Sequence, residues 1–111
     1  TSEQLKHCKN GQKVRIAGMQ ICLQQPPTAK GTAFLTIQDE FLNMVDAILS
    51  RDIFGANKSV MRKLLLTVEG RVQRRGNVIN VIVERVYDLQ ERFDKDQRAF
   101  QLYSDGRISH S

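Results

Sequence analysis

The chain has 111 residues, 41% of them hydrophobic and 26% charged. That is one domain of ordinary globular composition, and it excludes collagen-like, mucin-like and wholly disordered chains. Seventeen Lys+Arg against twelve Asp+Glu leave a net charge of +5, which points to a polyanionic partner.

The polar opening Thr1-Ser-Glu-Gln-Leu-Lys-His-Cys8 has no signal-peptide core and reads as a tail over residues 1–10. No apolar run approaches the roughly 18 residues of a membrane helix. A cytoplasmic protein without membrane contact is expected. Cys8 and Cys22 form no CxxC pattern and read as two free thiols, with Cys22 as a small core residue.

Val14 to Gln25 is a long β-branched and apolar segment. Val14 and Ile16 alternate, then Met19, Ile21 and Leu23 do, so the phase changes near Ala17-Gly18. A glycine at a phase change predicts a bulge or bend that lets one strand serve two sheet halves. Pro26-Pro27 ends the strand, and Lys30-Gly31 completes the turn.

Thr32 to Gln38 is a second strand, with Ala33, Leu35 and Ile37 inward and Phe34, Thr36 and Gln38 outward. Asp39-Glu40 reads as a turn. Met44 to Leu49 is a third strand, with Val45, Ala47 and Leu49 inward. Ser50 is placed to cap a short helix reaching Lys58. Ile53, Phe54 and Val60 or Met61 are expected to plug one barrel end.

Leu64 to Gln73 is the fourth strand, with Leu64, Leu66, Val68 and Val72 inward, Thr67, Glu69, Arg71 and Gln73 outward, and Gly70 on the inward side. Arg74-Arg75-Gly76-Asn77 reads as a hairpin turn. Val78 to Val86 is the fifth strand, with Ile79, Val81 and Val83 inward. Leu89 to Phe100 reads as a short helix and Ser104 to Ser111 as a tail. Three strands, a helix and a two-strand hairpin describe an all-β, five-stranded OB-fold Greek-key barrel over residues 11–89, with a C-terminal extension over 90–111.

Five segments then carry a family resemblance: Val14-Arg-Ile-Ala-Gly18, Gln24-Gln-Pro-Pro-Thr-Ala-Lys-Gly31, Phe34-Leu-Thr-Ile-Gln-Asp39, Val68-Glu-Gly-Arg-Val-Gln-Arg74 and Val83-Glu-Arg-Val-Tyr-Asp-Leu89. In order and spacing they resemble the OB-fold domain of bacterial C-family DNA polymerases, the DNA polymerase III alpha subunit. Thr28–Gly31 and Glu69–Gln73 are most similar to the error-prone branch. The chain departs from that pattern at Glu40–Asn43, one residue longer than the family's Glu-Thr-Gly turn, and at Ser50-Arg51, where members carry Trp-Pro. Gln101–Ser104 matches the family's clamp-binding pentapeptide poorly, so clamp binding is not carried over. The resemblance implies a piece of a DNA-directed DNA polymerase that lacks the nucleotidyl-transfer centre.

An OB barrel binds oligonucleotides across its second and third strands, between the 1–2 and 4–5 loops. The basic excess sits in the patterned region: residues 1–88 hold 13 Lys+Arg and 8 Asp+Glu, and residues 89–111 hold four of each. Single-stranded DNA needs a cationic groove for its backbone and flat apolar faces for its bases. Lys30, Arg74 and Arg75 in the two loops, with Arg71 on the fourth strand, are the candidate phosphate contacts. Phe34 is the candidate stacking platform, and Thr36, Gln73 and Asn80 the candidate hydrogen-bonding groups. No catalytic constellation, metal-ligand cluster or cofactor motif is visible, so no cofactor or small-molecule substrate is expected.

The expected partners are single-stranded DNA and the parent polymerase's other domains. Two alternatives stay open. One is a protein-docking module using Phe34, Met44 and Ile48. The other is an RNA- or tRNA-binding OB domain.

Overall fold

The computed structural model describes residues 2–89. Five strands, β1 (Lys13–Gln24), β2 (Ala33–Gln38), β3 (Met44–Leu49), β4 (Leu65–Arg75) and β5 (Val78–Asp88), close into a barrel in the order β1-β2-β3-β5-β4. All neighbours are antiparallel except β3 and β5, which run parallel. One helix, α1 (Arg51–Ala56), lies between β3 and β4. This is the OB-fold barrel that the strand pattern predicts.

Period-2 alternation puts a single set of side chains inside. Ala33, Leu35 and Ile37 of β2, Val45, Ala47 and Leu49 of β3, Leu66, Val68 and Val72 of β4, and Val81, Val83 and Val86 of β5 are all buried. Met61 closes one end, with Ile53, Phe54 and Val60 packed against the core. Ser50 caps α1 by accepting a hydrogen bond from the Ile53 amide at 3.3 Å.

Two glycines let backbones approach where the barrel turns. Gly18 on β1 and Gly70 on β4 are both inward and buried. A Cβ on Gly18 would collide with the Gln38 carbonyl, and one on Gly70 with the Ile82 carbonyl. The ladder shifts register beside Gly70, where Glu84 of β5 is the extra residue.

The phase change of β1 falls three residues later than its sequence predicts. The ladder to β2 slips between Gln20 and Cys22, so Ile21 is the bulged residue. Met19 and Ile21 therefore stay exposed, and only Leu23 turns toward the core. The inward position at 20 belongs to a glutamine, whose side-chain amide donates to the Met61 and Lys63 carbonyls at 3.0 and 2.9 Å.

Cys22, expected inside, is exposed, because it pairs with the outward Thr36. Leu64, also expected inside, is 62% exposed, because the ladder begins only at Leu65. Thr67 faces outward yet is buried between Ala17 and Tyr87 of the flanking strands.

Residues 1–10 are more than the expected tail. Ser2–His7 form a 3-10 helix, and Leu5 is buried in the barrel core. The Arg74 guanidinium holds this helix by donating to the Lys6 and Cys8 carbonyls at 2.9 and 3.0 Å. The helix expected over Leu89–Phe100 and the tail beyond it lie outside the described residues, except for Leu89.

Candidate nucleic-acid interface

Strand register assembles the outer face from two adjacent rows. Thr36 of β2 pairs with Asp46 of β3, Asp46 with Asn80 of β5, and Asn80 with Gln73 of β4, giving one polar row. Phe34, Ile48, Ile82 and Arg71 form the next row on the same four strands. The rows are two residues apart along each strand, roughly 7 Å. Five of the eight nominated residues, Phe34, Thr36, Arg71, Gln73 and Asn80, therefore share one surface.

Phe34 is 41% exposed and has Ile48 beside it, so its ring lies on an apolar strip. The Thr36 hydroxyl donates to Asp46 at 3.0 Å. Arg71 pairs with Glu84 at 3.2 Å and also donates to the Gly11 carbonyl at 3.1 Å. Its charge is thus partly neutralised on the protein itself.

The two loops flank this face at opposite ends. In the 1–2 connection a 3-10 turn over Pro27–Ala29 leads to Lys30, which takes the left-handed conformation at φ +53°. Gln25 braces the loop by donating to the Gly31 carbonyl at 2.8 Å. The Arg51 side chain lies against Gly31, so a second cation stands beside Lys30.

At the other end the β4–β5 turn is only Gly76-Asn77, because pairing persists to Arg75 and Val78. The two arginines expected in one loop are thus adjacent strand residues, and their side chains leave opposite faces. Arg75 is exposed on the outer face with Gln73. Arg74 points to the other side and anchors the N-terminal helix.

Asp46, Ile82 and Arg51 were not nominated from sequence, and Ile48 only for the protein-docking alternative, although period-2 alternation places Asp46, Ile48 and Ile82 outward. The parallel pairing of β3 with β5 brings them beside Phe34 and Thr36, and no local sequence signal encodes that pairing. An exposed carboxylate at Asp46 in mid-face opposes phosphate binding directly above it.

A second polar cluster lies on β1 and β4. Arg15 donates to Glu69 at 2.7 Å, and the Tyr87 hydroxyl donates to the other Glu69 oxygen at 3.3 Å. Burial pushes the Glu69 carboxyl up. The Arg15 hydrogen bond and charge, the Tyr87 hydroxyl and the Arg85 charge outweigh it, and the carboxyl stays below its usual 4.5. A carboxylate lowered on folding stabilises the fold above its unfolded pKa and loses that contribution as pH falls through the folded value. Glu69→Gln is therefore expected to lower the urea midpoint at pH 7, with the difference from wild type closing as pH falls below 4.5 and through the lowered folded value. Urea titrations of both proteins at pH 7 and across this acid range check this.

No protein-family model matches the chain. Among curated proteins, an error-prone DNA polymerase from Caulobacter vibrioides is 43% identical over 89 residues, which is 79% of this chain and 8% of that protein. The chain spans under a tenth of the length of the curated relatives it matches. Among solved structures, the Schizosaccharomyces pombe Stn1–Ten1 complex superposes with a TM-score of 0.56 at 13% identity, covering 86% of this chain and 78% of that one. A small single-stranded DNA binding protein from Mycoplasma pneumoniae gives 0.53 at 10% identity, covering 72% and 93%. At such identities the structural likeness concerns the fold alone. Among the described residues no helix is long and apolar enough to cross a membrane. The chain is an OB-fold barrel related in sequence to a segment of bacterial error-prone DNA polymerases.

Proposed function

We propose that the chain is the single-stranded-DNA-binding module of an error-prone, DNA polymerase III alpha-type polymerase of the bacterial cytoplasm. It guides the template strand through backbone and stacking contacts that ignore sequence. Nucleotidyl transfer belongs to the remainder of that polymerase, whose other domains are this module's protein partners.

The observation that carries the reading is Phe34, exposed at the head of an apolar row on the β2–β3 face, between Lys30 and Arg51 at one end and Arg75 at the other. A ring next to a cationic track is what a base and its phosphate require. Arg71 and Arg74 have roles inside the fold, so Lys30 and Arg75 are the principal phosphate contacts. With one platform and an opposing Asp46, binding is weak. Weak binding suffices when a polymerase holds the module beside its template at high effective concentration.

Titrating labelled oligo-dT at several salt concentrations tests this. Each phosphate neutralised adds a slope of roughly −0.7 to log K against log salt. Lys30→Glu with Arg75→Glu is expected to flatten the slope by about 1.4. No binding at low salt, or an unchanged slope in the double variant, refutes the reading. Competition with oligo-rU separates DNA from RNA as the ligand.

A further inference from the structure

Asp46 stands exposed in the middle of the outer face with no cation against it. Among the described residues the ion pairs are Arg15 with Glu69, Arg51 with Asp52 and Arg71 with Glu84. Its hydrogen bond comes from the Thr36 hydroxyl, which donates to Oδ1 at 3.0 Å. That bond orients the carboxylate and leaves Oδ2 open. Asn80 lies next to it in register and Gln73 beyond, and neither side-chain amide has a partner among the described residues.

An unpaired carboxylate on a face flanked by Lys30, Arg51 and Arg75 works against binding if only phosphates cross it. It becomes a recognition group if a base edge lies over it. Phe34 pairs with Ile48 and Thr36 with Asp46, so Asp46 is the diagonal neighbour of Phe34, roughly 7–8 Å away. A base stacked on the Phe34 ring and the Ile48 side chain reaches Asp46 with its edge.

A carboxylate can only accept hydrogen bonds. Thymine offers it one N–H, set between two carbonyl oxygens that it repels. Cytosine and adenine offer an amino group next to a ring nitrogen lone pair, which the second carboxylate oxygen repels. Guanine alone of the four presents two adjacent donors, N1–H and the N2 amino group. The two carboxylate oxygens have about four lone-pair sites, so the Thr36 bond leaves room for both donors. The Asn80 amide, next in the row, has donors for guanine O6. Hydrogen bonds to an ionised acceptor are about twice as strong as neutral ones.

We propose that Asp46, oriented by Thr36 and flanked by Asn80, selects guanine for the position stacked on Phe34. This rests on the DNA-binding reading, and adds a base preference to backbone and stacking contacts that carry none.

Oligo-dT carrying isolated guanines, adenines or hypoxanthines, titrated onto the 111-residue chain at low salt, tests the proposal. The guanine oligomer is expected to bind about fivefold tighter than the adenine one, the lower end of what a bidentate base contact discriminates, because the face is open to water. Hypoxanthine, which lacks the N2 amino group, is expected to fall back toward adenine. Asp46→Asn keeps the size of an exposed side chain, so that variant keeps its fold. It is expected to remove most of the guanine preference without weakening binding of plain oligo-dT. A wild-type chain without guanine preference overturns the proposal, and so does a preference that Asp46→Asn leaves unchanged. In both cases, binding of plain oligo-dT leaves the DNA-binding reading standing. Guanine-selective, Asp46-dependent binding without measurable oligo-dT binding upholds the proposal and overturns the sequence-neutral reading, and no binding of any oligomer refutes both.

Discussion

Replacing Gly70 by alanine is expected to cost the barrel about 3 kcal/mol, a large share of what a domain of this size has to lose. Gly70 is inward and buried on β4, facing the bulge of β5. Its missing Cβ would overlap the Ile82 carbonyl oxygen and come within 2.8 Å of the Ile82 carbonyl carbon and 3.0 Å of the Val83 Cα. All three are backbone atoms, so no side-chain rotation relieves the clash. Relief requires β5 to move, and β5 is hydrogen-bonded to β3 on its other edge. Gly55 in α1 is the matched control, because a Cβ there meets nothing within 4 Å. Gly55→Ala is expected to be neutral or to stabilise by about 0.5–1 kcal/mol through helix propensity. Urea unfolding of the two variants beside wild type measures both. Equal midpoints would show that β5 yields freely, and that the glycine is not what sets barrel closure.

Why Gly70 was visible in the sequence, and Gly18 only in part, follows from what each strand's pattern records. Along β4 an unbroken alternation runs Leu66, Val68, Gly70, Val72, so the glycine marks an inward slot too tight for a side chain. β1 changes partner midway, pairing with β4 up to Met19 and with β2 from Met19 onward. Its apolar residues answer to two environments. Met19 and Ile21 look like core in sequence because they are apolar at strand spacing, yet they lie outside the barrel, where β1 passes from β4 to β2 and bulges at Ile21. Strand composition reports that a residue tolerates burial, and the bulge position decides whether it is buried.

The candidate site divides the same way. Outwardness of Phe34, Thr36, Gln73 and Asn80 is a local property and was readable from alternation. That these side chains stand in adjacent rows depends on the parallel β3–β5 pairing. That Arg74 and Arg75 part company depends on how tight a two-residue turn the glycine at 76 permits. Gly76 has φ +62°, which lets pairing run up to the turn and turns a supposed basic loop into two opposite-facing strand residues.

Phe34→Ala is expected to raise the dissociation constant for oligo-dT about tenfold at low salt, toward the lower end of the roughly 1–3 kcal/mol that stacking one base contributes. Among the described residues the ring is the one aromatic group on the outer face of β2 and β3, so no neighbour described there takes over its role. Its removal should leave the slope of log K against log salt unchanged, because no phosphate contact is lost. That separates it from Lys30→Glu with Arg75→Glu, which changes the slope. Stability should move little, since Phe34 is outward and 41% exposed, and a urea titration of the same variant checks that its fold is intact. Phe34→Trp, which keeps a flat ring at the same place, should restore or improve affinity. If Phe34→Ala binds as wild type does while the double charge variant does not, the module holds DNA by charge alone. The exposed phenylalanine then belongs to a protein contact formed with Ile48 and Ile82 in its own row.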